Sequence, residues 1–288
     1  MDKSRVEFSG LKFLWVLAVG IWSFASPAAE SPFTLSWANN LLTISNSDLP
    51  GGKLDIWYLE AFCRTGSTQQ DWARTTIPHK TSLTSATPHR LDFRTSVEPS
   101  VEVVHSVVAL KDAIEFTYVL ANNGTQSVDL EWFQPACIRV DRFTGLGQSN
   151  YTSRSFIFTE RGLTTLDKTR RTEDALYHGG QVYVPKGINL KDVNPRPICG
   201  DQPTNGLIGC FSADGNYLLA TASSSTHELF EGVYVCLHSD PHVGGLNGRM
   251  TKSMRSRLYF MKNDPDELLK RYQRDFIGPV LLLRREDQ

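Results

Sequence analysis

Most of the signatures that announce an activity are missing from this 288-residue sequence. No G-x-x-x-x-G-K-[ST] loop and no G-x-G-x-x-G follows a strand-like run, which disfavours a nucleotide-binding α/β fold. There is no G-x-S-x-G elbow, and no cysteine sits in an obvious activating environment, so serine- or cysteine-hydrolase logic finds no support. The five cysteines, Cys63, Cys137, Cys199, Cys210 and Cys236, contain no C-x-x-C pair, which argues against a zinc knuckle or a thioredoxin-like motif. An excess of one charge is also lacking. Lys plus Arg number 30 against 31 acids, a net charge of -1, and nucleic-acid binding rests on a positive excess that neutralises phosphates. The one basic block, Lys168-Thr169-Arg170-Arg171, reads as a solvated loop. No internal repeat or low-complexity tract appears.

What is present begins with an address. Lys3, Arg5 and Lys12 precede the apolar run from Phe13 to Ala25, and Ser26-Pro27-Ala28-Ala29 follows. A basic start, a short apolar core and small residues at the exit are the parts of a secretory signal peptide, expected over 1–29 with cleavage just after Ala28. The run falls short of the roughly 20 apolar residues that span a bilayer, so membrane contact enters only through an uncleaved leader. Export to the periplasm or beyond is the expectation. It permits disulfides, with Cys199–Cys210 the favoured bridge if one forms; Cys137, Cys210 and Cys236 lie in apolar strings and read as small buried hydrophobes.

Residues 30–288 are expected to form a single, mainly β domain, since 40% hydrophobic and 21% charged residues are ordinary globular values. The dominant period is two. Val101 to Leu110 alternates, Lys111-Asp112 turns, and Ile114, Phe116, Tyr118 and Leu120 alternate again. Asn122-Asn123-Gly124 supplies the next turn, and Val128, Leu130 and Trp132 complete an expected run of three consecutive antiparallel strands. Further strands are expected at 33–37, 40–45, 54–63, 90–95, 155–159, 180–184, 206–212, 216–222, 232–238 and 255–261. A dozen or more short strands read as an antiparallel β-sandwich. One helix is expected at about 265–276: Asp264 caps, Pro265 opens, Glu267 falls three residues past the cap, and Leu268, Leu269, Tyr272 and Phe276 form the docking stripe.

Chemistry has several candidate homes. His238-Ser239-Asp240-Pro241-His242, if extended, sets His238, Asp240 and His242 on one side, where they suit a divalent metal or an acid/base pair; a polar loop leaving strand 232–238 is the alternative. Just upstream, Glu228 offers a carboxyl partner for such a histidine, while Glu231 reads as a solvated surface residue. In Gln134 to Phe143, Gln134, Arg139 and Asp141 either orient a ligand in a cleft or, for Arg139 and Asp141, pair across a sheet face. Trp57-Tyr58-Leu59-Glu60, Asp71-Trp72 and Ile77-Pro78-His79 mix aromatics with charge, as sugar sites do, because C–H faces of pyranose rings stack on aromatics. Trp72 is the best stacking platform and His79 a binding candidate; Trp57 and Trp132 read as core. Arg196, stiffened between Pro195 and Pro197, suits a fixed contact to a carboxylate or sulfate. No cofactor is called for.

The run from Ile114 to Gly124, followed by Val128-Asp129-Leu130-Glu131-Trp132, resembles the central strands of galactose-mutarotase-like β-supersandwich proteins. The whole chain is also similar to exported bacterial proteins of unknown activity through its W-Y-L-E, I-R-V-D-R-F-T-G and H-S-D segments. The first resemblance implies a carbohydrate ligand and His/Glu acid–base transfer at an anomeric carbon, for which His238 and Glu228 are the nearest matches, although neither sits in an epimerase motif. Carbohydrate binding or processing is thus the expected function. A non-catalytic cell-envelope binding or scaffold module is the rival, and a polysaccharide lyase, with Tyr234 or His238 near Arg196, a third. The sugar, the linkage and the oligomeric state are not set by the sequence.

Overall fold

The computed structural model describes residues 31–278. The expected signal peptide and the tail at 280–285 lie outside the described residues. Two large antiparallel sheets face each other across one apolar layer. The first has seven strands in the order β1 (Thr34–Ala38), β2 (Leu41–Ser45), β3 (Lys53–Cys63), β8 (Trp132–Arg139), β15 (Cys236–Pro241), β14 (Thr226–Gly232) and β11 (Gly180–Tyr183). The second has nine: β10 (Gly162–Thr165), β9 (Ser155–Thr159), β12 (Ile208–Phe211), β13 (Tyr217–Ser223), β16 (Thr251–Lys262), β7 (Ala113–Asn122), β6 (Val101–Ala109), β5 (Arg90–Val97) and β4 (His79–Thr87). The fold is a β-sandwich, as the period-two patterning requires. Among the described residues, no helix is long and apolar enough to cross a membrane.

Each inner face follows from alternation. In β7, Ile114, Phe116, Tyr118 and Leu120 are buried inward, and in β6 Val101, Val103 and Val107 join them. Phe62 and Phe133, paired across β3 and β8, stack at 5.4 Å from the opposite side. The third strand of the expected run departs from the expectation. Val128 and Leu130 lie in a connection, with Val128 bridging only Leu246, and the chain crosses to the other sheet, where β8 pairs with β3 and β15. The neighbour of β7 on that side is β16, whose Lys252, Met254 and Ser256 pair with Leu120, Tyr118 and Phe116. Three strands, β4, β10 and β14, stand where no strand was expected, and β15 runs over Cys236–Pro241 instead of 232–238.

The C-terminal helix α3 (Pro265–Tyr272) forms as expected: Asp264 Oδ1 accepts the Glu267 N–H at 2.9 Å, and Leu268 and Tyr272 bury against Leu218, Tyr259 and Met261. A short π turn at Gln273–Ile277 continues it, and Phe276 packs beside Tyr272 there. Every cysteine is free and buried, so the expected Cys199–Cys210 bridge is absent. Glu231, expected in solvent, is 1% exposed and is held by Arg171 at 2.6 Å and by the Tyr183 hydroxyl, which donates at 2.9 Å. Trp57, expected in the core, is 39% exposed; Trp132 is fully buried.

One histidine ties the sheets together. The Tyr58 hydroxyl meets His105 Nδ1 at 2.7 Å and the Thr95 hydroxyl meets Nε2 at 2.8 Å, so His105 of the nine-stranded sheet reaches Tyr58 of the seven-stranded one. Burial keeps this ring neutral by lowering its pKa from 6.5 to about 3. An unfolded chain takes up that proton near pH 6.5 and the folded one does not, so this part of the stability is whole above pH 6.5 and is lost as pH falls toward 3. Urea midpoints measured across that window should fall steadily in the wild type. His105→Gln should be destabilised by about 1–3 kcal/mol at neutral pH and show a shallower acid slope; an unchanged slope would remove His105 from this role.

Candidate functional site

The face of the seven-stranded sheet turned away from the core carries the chemistry. Its layout starts with a bulge. Tyr58 pairs with Ala136 and Ala61 with Gln134, so Leu59 and Glu60 of β3 oppose the single residue Pro135 of β8. Leu59, at φ 57, turns into the core, and Glu60 is exposed on the outer face. Pro135 has no N–H to donate and is tolerated in a central strand where the ladder is already interrupted. His79 on β4 meets the Leu59 carbonyl through Nε2 at 3.2 Å and packs edge-on against Phe62. The structure therefore places His79 at the back of the bulge, against the core residue Phe62.

On that outer face the register assembles two rows. In the first, Trp57 of β3 is opposite Cys137 of β8, and His238 of β15 is opposite Phe230 of β14; the Leu237–Ile138 pair sets Cys137 beside His238. Cys236, opposite Arg139, brings its Sγ to 3.5 Å from His238 Nε2. In the second row Gln134 Nε2 donates to Asp240 Oδ2 at 3.1 Å, and Asp240 is opposite Glu228. His238 Nδ1 stands 3.6 Å from Asp240 Oδ1, and both atoms lack a hydrogen-bond partner. The expected quartet of His238, Glu228, Gln134 and Arg139 is thus gathered on one sheet face.

A strap closes one end of this face. Asn194 donates its N–H to Glu228 Oε2 at 3.0 Å, Asp192 accepts the Gly66 N–H at 2.6 Å, and the Lys191 carbonyl accepts the Thr68 N–H. Beneath it Glu228, Asp240, His238 and Gln134 are at most 2% exposed. The other end is open: Trp57 and Glu60 are exposed, Arg139 is half-buried, and the Arg139 guanidinium lies 5.3 Å over the exposed Tyr234 ring.

Burial sets the protonation of the cluster. It pushes the Glu228 carboxyl up to about 8, against the Asn194 N–H and the charge of His238, so Glu228 is a neutral acid at pH 7. Asp240 is pushed up to about 6, with His238 opposing. Burial works against a charged His238, yet Cys137 and Asp240 beside it hold its pKa well above 6.5. The Cys236 thiol beside Cys137 lowers the pKa of Cys137 well below the usual thiol value, His238 reinforcing, while Cys236 is raised in turn. Glu60 is exposed as a residue, yet burial of its carboxyl pushes the pKa up to about 7, with His238 and Arg139 pulling it down.

The remaining expected site residues lie elsewhere. Trp72, which opens the four-residue helix α1 (Trp72–Thr75), is half-buried at the far end of the same face, its ring 6.4 Å from Trp132. Asp141 opens the four-residue helix α2 (Asp141–Thr144) beyond the end of β8 and is exposed, so it does not share a sheet face with Arg139. His242 is bound to Glu131 at 2.9 Å and leaves the His238–Asp240 pair, so these three candidate metal ligands, for which no metal was called, do not converge. Arg196 lines a surface hollow of about 830 Å3 with Tyr177 and His178, while the cation facing Tyr234 is Arg139. A second hollow, of about 1000 Å3, is lined by Arg161, Arg170 and Asp201, with both guanidiniums bound to the one Asp201 carboxylate at 3.0 Å. Neither hollow is lined by Glu60, Arg139 or His238, and perturbed, unpartnered titratable groups mark sites better than volume does. Sequence reasoning passed over Glu60, Cys137 and Cys236. A glutamate flanked by Leu59 and Ala61 in an aromatic strand, where strict alternation would bury it, was the available signal for Glu60.

No protein-family model matches the sequence, and no curated protein matches it. The solved structures similar to the chain are galactose mutarotase-like and aldose 1-epimerase structures at low identity. A protein from Synechocystis sp. PCC 6803 is 11% identical with a TM-score of 0.45, covering 85% of this chain and 100% of that one. A galactose mutarotase-like protein from Lactobacillus casei is 8% identical, TM-score 0.42, covering 80% and 100%. Galactose 1-epimerase from Lactobacillus acidophilus is 8% identical, TM-score 0.37, covering 82% and 99%. Such values assign no chemistry, which has to come from the residues.

Glu60 should titrate near pH 7 when its side-chain carboxyl is followed by carbon-13 NMR. Because Arg139 lowers that value, Arg139→Ala should move the midpoint upward; a downward move or none would contradict the described geometry.

Proposed function

We propose that this chain is an exported protein that binds and processes carbohydrate on the open outer face of its seven-stranded sheet, with Glu60 exchanging protons with a sugar hydroxyl. The observation that carries the reading is one open sheet end that presents an exposed glutamate, Glu60, an exposed indole, Trp57, and the Arg139 guanidinium over the exposed ring of Tyr234, with burial raising the Glu60 pKa to about 7. An acid/base group is most effective with a pKa near the working pH. Trp57 and Tyr234 offer flat apolar surfaces to the C–H face of a pyranose, and Arg139 offers donors for its hydroxyls. Glu228, sealed under the strap, stays protonated and supports the floor without reaching the ligand. His238 supplies positive charge beneath Glu60. The rival scaffold reading expects His238, Glu228 and Arg139 on separate surfaces, and their gathering on one face favours a site.

Anomer exchange of candidate aldoses, followed by proton NMR with the chain lacking residues 1–28, tests this. Glu60→Gln should lower the exchange rate at least about 100-fold with binding retained. Trp57→Ala should weaken binding about tenfold, the equivalent of about 1.4 kcal/mol. Binding without any exchange would leave a binding module, and absence of both would overturn the proposal.

A further inference from the structure

We propose that Cys137, Cys236 and His238 form a site for a thiophilic divalent cation of the Zn2+ class, set into the outer face of the seven-stranded sheet. Their Sγ and Nε2 donor atoms lie within 4.8 Å of one another, on two adjacent strands, and all three residues are buried. The Cys236 Sγ to His238 Nε2 distance is 3.5 Å. Zn–S bonds of about 2.3 Å and Zn–N bonds of about 2.0 Å at a tetrahedral angle give an S···N edge of roughly 3.5 Å, so the ion fits with little movement of these two side chains.

Two further observations point the same way. A histidine that ligates through Nε2 commonly directs Nδ1–H at a carboxylate, which is itself hydrogen-bonded. Here His238 Nδ1 faces Asp240 Oδ1 at 3.6 Å, both atoms unpartnered, and Asp240 Oδ2 is held by Gln134. This is the support a ligating imidazole needs, already built and sealed under the strap. Two thiols beside an imidazole are also a soft donor set, which selects zinc-like cations over Mg2+ or Ca2+. Water completes the tetrahedron.

The site shares only His238 with the carbohydrate reading, and the cluster carries the same net charge with the His238 imidazolium beside a Cys137 thiolate as with the ion on two thiolates. Two thiolates neutralise the ion, and no step assigned to Glu60 passes through it. The test is a titration of the full reduced chain with Co2+ as the spectroscopic probe. The expected result is a thiolate-to-cobalt charge-transfer band with tetrahedral visible bands, saturating at one equivalent and displaced by Zn2+. Cys137→Ser and Cys236→Ser should each lose most of the charge-transfer band, and Asp240→Asn should keep it with affinity lowered about tenfold. Should a cysteine variant fail to fold, X-ray absorption of the zinc-loaded wild type gives the same answer, with two sulfur neighbours at about 2.3 Å expected. An absent charge-transfer band, an oxygen- and nitrogen-only shell, or a Cys137–Cys236 disulfide persisting in the reduced protein would each overturn the site. None of these outcomes depends on anomer exchange, so failure here leaves the Glu60 proposal to its own experiment.

Discussion

Two residues of β3 opposite one of β8 decide what the outer sheet face is able to do. Without the extra residue, strict alternation along β3 would send Glu60 into the apolar layer beside Tyr58 and Phe62, where an unpaired carboxylate costs several kcal/mol. With it, Leu59 fills the inner layer and Glu60 emerges on the outer face, within electrostatic reach of His238 and Arg139. The bulge also gives Pro135 a place in a central strand and leaves the Leu59 carbonyl for His79 to hold from the other sheet. A local defect in the ladder is therefore secured from both sides of the sandwich, which is the behaviour of a functional irregularity.

The second constraint is electrostatic. Ionisable groups packed at 0–3% exposure survive only by neutralising one another or staying uncharged. Glu228 takes the uncharged route, with a backbone N–H from the strap for one oxygen. Cys137 and His238 take the paired route, with Asp240 behind the imidazole. The two routes meet at Glu60, which feels the burial of the floor as a raised pKa and its positive charge as restraint. The orphaned atoms Glu228 Oε1, His238 Nδ1 and Asp240 Oδ1 show that packing alone has not satisfied this face. Such unsatisfied groups are costly, and they concentrate at sites where something else completes them.

Legibility from sequence tracked solvent. Strands β6 and β7 were readable because the inner residues of β7 alternate with Thr117 and Val119, and the helix α3 because its cap and its stripe are local. Strands β8, β14 and β15 are buried on both faces, so Trp132–Arg139 and Cys236–Pro241 show no alternation to read. Their polar residues, Gln134, Glu228, His238 and Asp240, looked like loop chemistry because the partners that make them tolerable come from other strands. Asn122–Gly124 correctly marked the end of β7, but a turn signal does not say which strand comes alongside next, and β16 takes the place expected for the Val128–Trp132 segment. The same limit hid the cysteines. Cys137 and Cys236 are 99 positions apart and become a donor pair only through the β8–β15 register.

The strap gives this face a direction. Covering Glu228 but leaving Trp57, Glu60 and Tyr234 open makes approach possible from one end alone, over aromatic surface first and carboxyl second. In the proposed binding mode, a sugar ring stacked on Trp57 presents its hydroxyls to Arg139 and Glu60 and leaves the buried row undisturbed. A small cation, in contrast, passes beneath that rim to sulfur and nitrogen that no sugar oxygen would seek. Hard oxygen chemistry at the rim and soft sulfur chemistry in the floor are thus separated by depth. That separation is why one sheet face can hold both without either ligand competing for the other's partners.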